Sequence, residues 1–156
     1  MEIEKKFLIN LPLIDIKAFP CVNIEQGYIC TNPVIRIRKK ENSHFITYKS
    51  SGLMIRQEYE DEISKEQYDY LKKKIDYNLI IKERYYIPVT NSLTAEVDVF
   101  KDKLEGLIMA EVEFPSEEIA NNFTPPNWFI TEVTFNSKFH NSNLCKEEDI
   151  SFLNNI

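Results

Sequence analysis

Charged and apolar residues alternate with a period of two in segment after segment of this chain. The first is Glu2, Glu4 and Lys6, set against Ile3 and Lys5 and followed by the apolar run Phe7, Leu8 and Ile9. The alternation returns as Arg36 and Arg38 against Ile35 and Ile37, as Thr47 and Lys49 against Ile46 and Tyr48, and as Arg56, Glu58 and Glu60 against Ile55 and Tyr59. It continues as Lys82 and Arg84 against Ile81, Tyr85 and Ile87, as Glu96 and Asp98 against Ala95, Val97 and Val99, and as Glu111 and Glu113 against Ala110 and Val112. Successive side chains of a β-strand point to opposite faces, so each segment reads as a strand with one charged and one apolar face. A merely solvated face would mix in Ser, Thr, Asn and Gln, whereas these faces are nearly pure Arg, Lys, Glu and Asp. About eight antiparallel strands suffice to close a barrel and remove the sheet's edges. The pattern therefore predicts an α+β fold: a closed antiparallel eight-stranded β-barrel, or tunnel, with a charged lumen and with helices packed on its apolar outside.

The rest of the chain supplies those helices. Ser64 followed by Gln67 is a capping box, which opens a helix over 65–76 with Tyr68, Leu71 and Ile75 as its apolar stripe and Lys72, Lys73 and Lys74 on a solvated face. Ser116 caps a short helix running to about 123, ended by Pro125 and Pro126. Residues 11–19 read as a short helix or covering segment, 23–30 as a strand carrying Tyr28, 130–135 as the last strand, and 136–153 as one or two C-terminal helices. Phe123, Trp128 and Phe129 read as barrel cover, with a dimer contact as the other possibility, so both monomer and homodimer stay open. No repeat or linker divides residues 1–156, which are expected to form a single domain.

The formal net charge of -6 argues against a nucleic-acid binder, whose phosphate contacts would leave a basic footprint. Cys21, Cys30 and Cys145 are odd in number and form no CxxC, which fits reduced thiols of a cytoplasmic protein. The start lacks a basic leader, and no apolar run approaches the roughly 20 residues of a membrane span. Neither His44 nor His140 sits in a metal-ligand pattern, and both read as ordinary surface residues.

Burying unpaired charge costs several kcal/mol, so a lumen lined this way calls for a charged ligand to complete it. Arginines and lysines clustered on neighbouring strands suit a multiply charged oxyanion, and carboxylates at i, i+2 suit hard cations such as Mg²⁺ or Mn²⁺. A phosphate chain with a divalent metal meets both demands. The chain has only Gly27, Gly52 and Gly106, which excludes a Gly-rich phosphate loop. Lys82 beside Arg84 is a candidate for a lysine with a depressed pKa and a catalytic role, which Tyr28 would hold in place.

Glu2-Ile3-Glu4-Lys5-Lys6 reads as the ExExK signature, and further segments follow in order: Gln26-Gly27-Tyr28, Ile35 to Arg38, Thr47 to Lys49, Arg56 to Glu60, Ile81 to Tyr85, Glu96 to Phe100, Gly106 to Glu113, and Glu132 to Thr134. In these the chain resembles the CYTH, or triphosphate tunnel metalloenzyme, superfamily, and its short bacterial members in particular. The resemblance implies a tunnel that binds a triphosphate with Mg²⁺ or Mn²⁺ and hydrolyses it. It implies phosphate binding by Lys6, Arg36, Arg38, Lys49, Lys82 and Arg84, joined by Arg56, and metal binding by Glu2, Glu4, Glu60, Glu111 and Glu113. Glu58, Glu96 and Asp98, and in part Arg56, would orient these neighbours. One metal would be held by Glu2, Glu4 and Glu113, and a second would activate water near Glu60 or Glu111. Ala95 stands where relatives often carry an aromatic, and Asn136 and Lys138 replace an acid and an arginine. Inorganic tripolyphosphate is the favoured substrate because the short chain adds no nucleoside pocket. The alternatives are a thiamine or nucleoside triphosphatase, a class IV adenylyl cyclase, and a non-catalytic triphosphate- or polyphosphate-binding protein.

Overall fold

The computed structural model describes residues 1–90 and 92–155. Its strands, all paired antiparallel, are β1 (Glu2–Ile9), β2 (Cys21–Thr31), β3 (Val34–Lys40), β4 (Ser43–Lys49), β5 (Ile55–Arg56), β6 (Glu58–Ile63), β7 (Asp76–Pro88), β8 (Thr94–Phe100), β9 (Ile108–Glu113) and β10 (Phe129–Glu132). The hydrogen-bonded order is β10-β1-β9-β8-β7-β2-β3-β4-β6, and β5 lies off this path, paired with β1. Only Gln57 separates β5 from β6, so the rungs Glu2–Arg56 and Ile3–Ile55 tie the far end of the path back to β1. The sheet is thereby nearly closed into a barrel. The alternation of Arg56, Glu58 and Glu60 predicts one continuous strand, but the chain is broken at Gln57 and its two halves serve different neighbours. β1 shares one edge between β5 at its start and β10 at Phe7 to Ile9, which puts nine strands on the path rather than eight.

The apolar faces do point outward, and they make one core. Ala95, Val97, Ala110 and Val112 are completely buried there, joined by Phe7, Ile87 and Phe129. The cover consists of 3₁₀ turns at Leu11–Leu13 and Ile16–Ala18 in place of a helix, of the short α2 (Glu117–Asn121), and of Trp128, with Phe123 packed against it. Ser116 caps α2 by accepting from the Ile119 amide.

A second apolar cluster lies on the lumen face at one end of the barrel, where the strands exchange charge for Tyr28, Ile80, Phe100 and Met109. Phe139, Leu144, Cys145 and Phe152 of the C-terminal segment pack onto them. Residues 136–153, expected as one or two C-terminal helices, form a one-turn helix α3 (Asn141–Leu144) and 3₁₀ turns at Ser137–Phe139 and Ser151–Asn155, and they plug the barrel. No helix among the described residues is long and apolar enough to cross a membrane.

The capping box at Ser64 and Gln67 forms, but α1 (Lys65–Lys72) ends about a turn earlier than its apolar spacing predicts. β7 begins at Asp76, so the residues drawn as the last helical turn bring the chain back to the sheet. Lys72 is an anchor rather than a purely solvated charge: it pairs with Glu25 at 3.0 Å, and the same carboxylate accepts from the Tyr68 hydroxyl at 2.8 Å. Ile75 lies so close over β2 that a Cβ on Gly27 would be 2.8 Å from Ile75 Cγ2. Gly27→Ala is therefore expected to destabilise the fold by about 1–3 kcal/mol through overpacking, read as a lower urea midpoint at unchanged slope. An unchanged midpoint would show that Ile75 yields without cost.

Candidate active site

Antiparallel register brings the charged faces together across the lumen wall. Glu4 lies opposite Glu113 and Lys6 opposite Glu111 between β1 and β9, Glu96 opposite Glu111 between β8 and β9, and Arg84 opposite Asp98 between β7 and β8. Directly opposed side chains share a face and interact, so like charges here are a cost that the fold retains. The resulting cavity is lined by Glu2, Glu4, Lys6, Tyr28, Arg36, Arg38, Lys49, Arg56, Glu60, Arg84, Glu111 and Glu113. Of the residues that the sequence places in the site, Lys82 and Asp98 do not line it.

The charges satisfy one another unevenly. Lys6 Nζ reaches Glu111 at 2.8 Å and Glu4 at 3.2 Å, Lys49 reaches Glu2 at 2.9 Å and Glu58 at 3.3 Å, and Arg56 reaches Glu4 at 3.8 Å. Arg84 grips Asp98 with two hydrogen bonds of 2.7 and 2.9 Å, meets Glu96 at 2.7 Å, and lies 3.7 Å from Glu111. Burial alone would raise the Glu111 carboxyl, but Lys6, Arg84 and Lys82 overcome it and hold it well below the usual carboxylate range.

One side of the cavity is short of negative charge. Arg36 has Glu60 at 3.5 Å and Thr47 Oγ1 at 3.2 Å, while its buried Nε has no partner among the described residues. Among the described residues the Arg38 side chain hydrogen-bonds only the Gln26 amide oxygen, at 2.9 Å. Burial, followed by the repulsion of Arg36 and Arg84, lowers the Arg38 pKa to about 10, so it stays charged at neutral pH. Another part of the wall is short of positive charge. The Glu113 carboxyl is pushed up by burial and then by the facing carboxylates of Glu2, Glu4 and Glu96. Burial, and next a hydrogen bond shared with Glu58, likewise raise Glu2. Among the described residues no three acid, His or Cys side chains are gathered closely enough to cage an ion, because several of these carboxylates lean toward cations. The unrelieved repulsion around Glu113 and the all-oxygen donor set nevertheless fit a hard divalent cation.

Lys82 is fully buried behind the lining. Its ammonium pairs with Asp98 at 2.8 Å and donates to Asn141 Oδ1 at 3.3 Å, with the Phe100 ring 5.3 Å away. Burial, reinforced by Arg84 and Arg38, lowers its pKa to about 7, since Asp98 is shared with Arg84 and compensates it only partly. Tyr28, predicted to hold Lys82, is instead approached by the Gln26 amide nitrogen at 3.4 Å, and Asp98 and Asn141 do the holding.

Neither histidine is a surface residue. His44 packs its ring 4.9 Å from that of Tyr68, and His140 is buried and lines the cavity beside Asn141 and Ser142, its Nε2–H donating to the Thr134 carbonyl at 3.2 Å. Burial and the nearby Lys6 and Arg56 keep the His140 ring neutral by lowering its pKa. Reasoning from strand periodicity passed over His140, Asn141 and Ser142 because they lie outside the strands. Glu58 and Glu96, expected on the lumen faces as orienting residues, do line the cavity. Ala95 faces the outer core, and Asn136 caps its turn by accepting from the Lys138 amide at 3.1 Å, so neither departure touches the cavity.

The sequence pattern of the CYTH domain matches residues 1–148. The chain belongs to the CYTH domain family. It is 37% identical over 148 residues to an inorganic triphosphatase of Nitrosomonas europaea, an alignment covering 92% of this chain and 96% of that protein. It is 36% identical over 152 residues to an inorganic triphosphatase of Acetivibrio thermocellus, covering 93% of each. The crystal structure of an inorganic triphosphatase superposes with a TM-score of 0.70 at 33% identity, covering 96% of this chain and 97% of that one. The nearly closed barrel is thus the CYTH fold.

Removing one charge from the acidic wall of this CYTH barrel tests its electrostatics. Glu113→Gln is expected to raise the melting temperature of metal-free protein at pH 7 by about 1–2 °C, because Glu113 is solvent-exposed and screening leaves ~0.5 kcal/mol of relief. A carboxyl whose folded pKa is raised costs stability above that pKa and nothing below its unfolded value, so the gain should vanish below about pH 4. A lower melting temperature at pH 7 would mean that Glu113 is already compensated.

Proposed function

We propose that this CYTH-domain chain is an inorganic triphosphatase, which hydrolyses tripolyphosphate with a divalent metal, Mg²⁺ or Mn²⁺, and releases orthophosphate. The observation that carries this reading is the presence in one cavity of under-compensated arginines and under-compensated carboxylates. A ligand of one sign would relieve only one of them, whereas a phosphate chain bound with a cation relieves both. The curated relatives at 36–37% identity, named inorganic triphosphatases, support the choice of substrate.

In this reading Lys6, Arg36, Arg38, Lys49, Arg56 and Arg84 hold the phosphates, the arginines by paired donors and the lysines as point charges. Glu2, Glu4 and Glu113 hold the metal, with Glu60 and Glu111 on flanking strands completing the oxygen set. Metal dependence is typical of the family, and the bound ion neutralises charge on the phosphate oxygens. Water attacks the terminal phosphorus, the phosphoanhydride P–O bond breaks, and orthophosphate and pyrophosphate leave. The arginines fixed around the terminal group stabilise the negative charge that gathers there, at little reorganisation cost because the strands already hold them. Tyr28 keeps its proton, since burial pushes its hydroxyl up, and so acts as a donor. Lys82, near a pKa of 7, takes the proton of the attacking water through one bridging water beside Asn141, which lines the cavity and contacts the amine, and the ammonium so formed is held by Asp98.

The assay is orthophosphate and pyrophosphate release from tripolyphosphate, ATP and thiamine triphosphate with Mg²⁺ or Mn²⁺. Tripolyphosphate is expected to turn over fastest, with activity lost in chelator. Arg36→Ala is expected to lower kcat/KM about 10–150-fold, the worth of about 1.5–3 kcal/mol for a charge-assisted bond. Pyrophosphate release from ATP outpacing tripolyphosphate hydrolysis would overturn the reading in favour of a cyclase. Binding of tripolyphosphate without turnover would overturn the enzyme itself.

The Lys82 role has its own test. A base must be neutral to accept a proton, so activity should rise with pH through about 7. Lys82→Arg, which stays protonated, should lose that limb while keeping tripolyphosphate affinity. An unchanged limb in Lys82→Arg would assign the titration to another group.

A further inference from the structure

Gln26 is completely buried, yet it carries a neutral amide on the lumen face of β2, directly across from Arg38 on β3. It does not line the cavity. Its two amide atoms have different neighbours: Oε1 accepts from Arg38 Nε at 2.9 Å, and Nε2 donates to the Tyr28 hydroxyl oxygen at 3.4 Å. This polarity is forced, because a guanidinium N–H only donates and the amide atom facing it must be the oxygen. The amide nitrogen is then the atom turned toward Tyr28, and the hydroxyl accepts. Its own proton is left for another acceptor, and among the described residues none takes it. Tyr28 lines the cavity, so that proton is available to a bound ligand.

The effect on Arg38 is equally specific. Gln26 binds through Nε and leaves both terminal nitrogens of the guanidinium free, and no carboxylate pairs with Arg38 among the described residues. A glutamate here would give Arg38 the same acceptor but cancel its charge. The neutral amide fixes the side chain and leaves that charge for the ligand.

We infer that Gln26 is a positioning residue for the proposed triphosphatase reaction: through one amide it presents the Arg38 fork and the Tyr28 hydroxyl proton to the same bound phosphate chain. The inference rests on the triphosphatase reading and deepens it by naming a residue that acts without touching substrate.

The test compares wild type, Gln26→Glu and Gln26→Met, each measured for tripolyphosphate hydrolysis, for tripolyphosphate binding by calorimetry, and for thermal stability. Gln26→Glu places a carboxylate against Arg38, which Arg36 and Arg84 otherwise repel, so its melting temperature should hold or rise while KM and Kd for tripolyphosphate increase tenfold or more. Gln26→Met keeps the volume but loses both contacts, and a several-fold rise in KM is expected. A purely structural role would move stability and affinity down together, and that result in Gln26→Glu would overturn the inference, as would a KM within twofold of wild type. If Gln26→Glu fails to fold, Gln26→Met decides, and a wild-type KM there overturns the inference. Wild-type protein that binds tripolyphosphate without hydrolysing it refutes the triphosphatase reading alone, and the Kd ratios still judge Gln26. Wild-type protein that does not bind tripolyphosphate overturns both.

Discussion

Everything in this fold depends on surrounding a lumen with charged side chains, seven of them buried among the described residues, without letting them neutralise one another completely. A buried charge with no partner costs several kcal/mol, and a buried pair returns that cost only when its geometry is good. The lumen uses both kinds of solution. Asp98, gripped by Arg84 and Lys82, is a closed arrangement that stiffens the wall. Arg36, Arg38 and Glu113 are left short of partners, a shortage that the proposed phosphate chain and metal would relieve.

Such a lumen requires a scaffold that does not relax around it. Near closure of the barrel supplies one, because a strand in a closed sheet cannot swing a charge outward without breaking two ladders. The seam is the short pairing of β5 with β1, and it sits at Glu2 and Arg56, so the weakest part of the wall is also part of the site. The apolar plug closes the opposite problem. Tyr28, Ile80, Phe100 and Met109 on the lumen face are covered by the C-terminal segment, which confines charge to one end of the barrel and carries His140, Asn141 and Ser142 to its floor.

What could be read from the sequence was what strand periodicity encodes. The alternation of Glu2, Glu4 and Lys6, or of Arg36 and Arg38, specifies a face, and a shift of one residue would invert it, so the inward set was legible almost residue by residue. The neutral residues were not. Gln26, His140 and Asn141 look unremarkable in a linear pattern, because their importance lies in what faces them, such as Arg38 at 12 positions from Gln26 and Lys82 at 59 from Asn141, rather than in their spacing. The break of the strand at Gln57 and the short α1 escaped for a related reason: both are decided by the partner strand, β1 in one case and β2 in the other, and local propensity does not contain that information. The C-terminal segment carries a mixed pattern that suits a short helix and a plug equally well until the barrel end it covers is known.

The pairing in the ligand-free lumen also constrains how the proposed ligands would bind. Lys6 and Lys49 are held by Glu111, Glu4 and Glu2, which are themselves candidates for the metal. A phosphate chain that draws the lysines away leaves those carboxylates without counter-charge, and a metal that takes the carboxylates frees the lysines for phosphate. Each ligand therefore removes a cost that the other would otherwise meet, and by linkage the advantage is the same whichever binds first. A site made of acids alone would bind metal before substrate, and one made of cations alone would bind any polyanion. The interleaving of both, strand by strand, favours the complex of the two over either one.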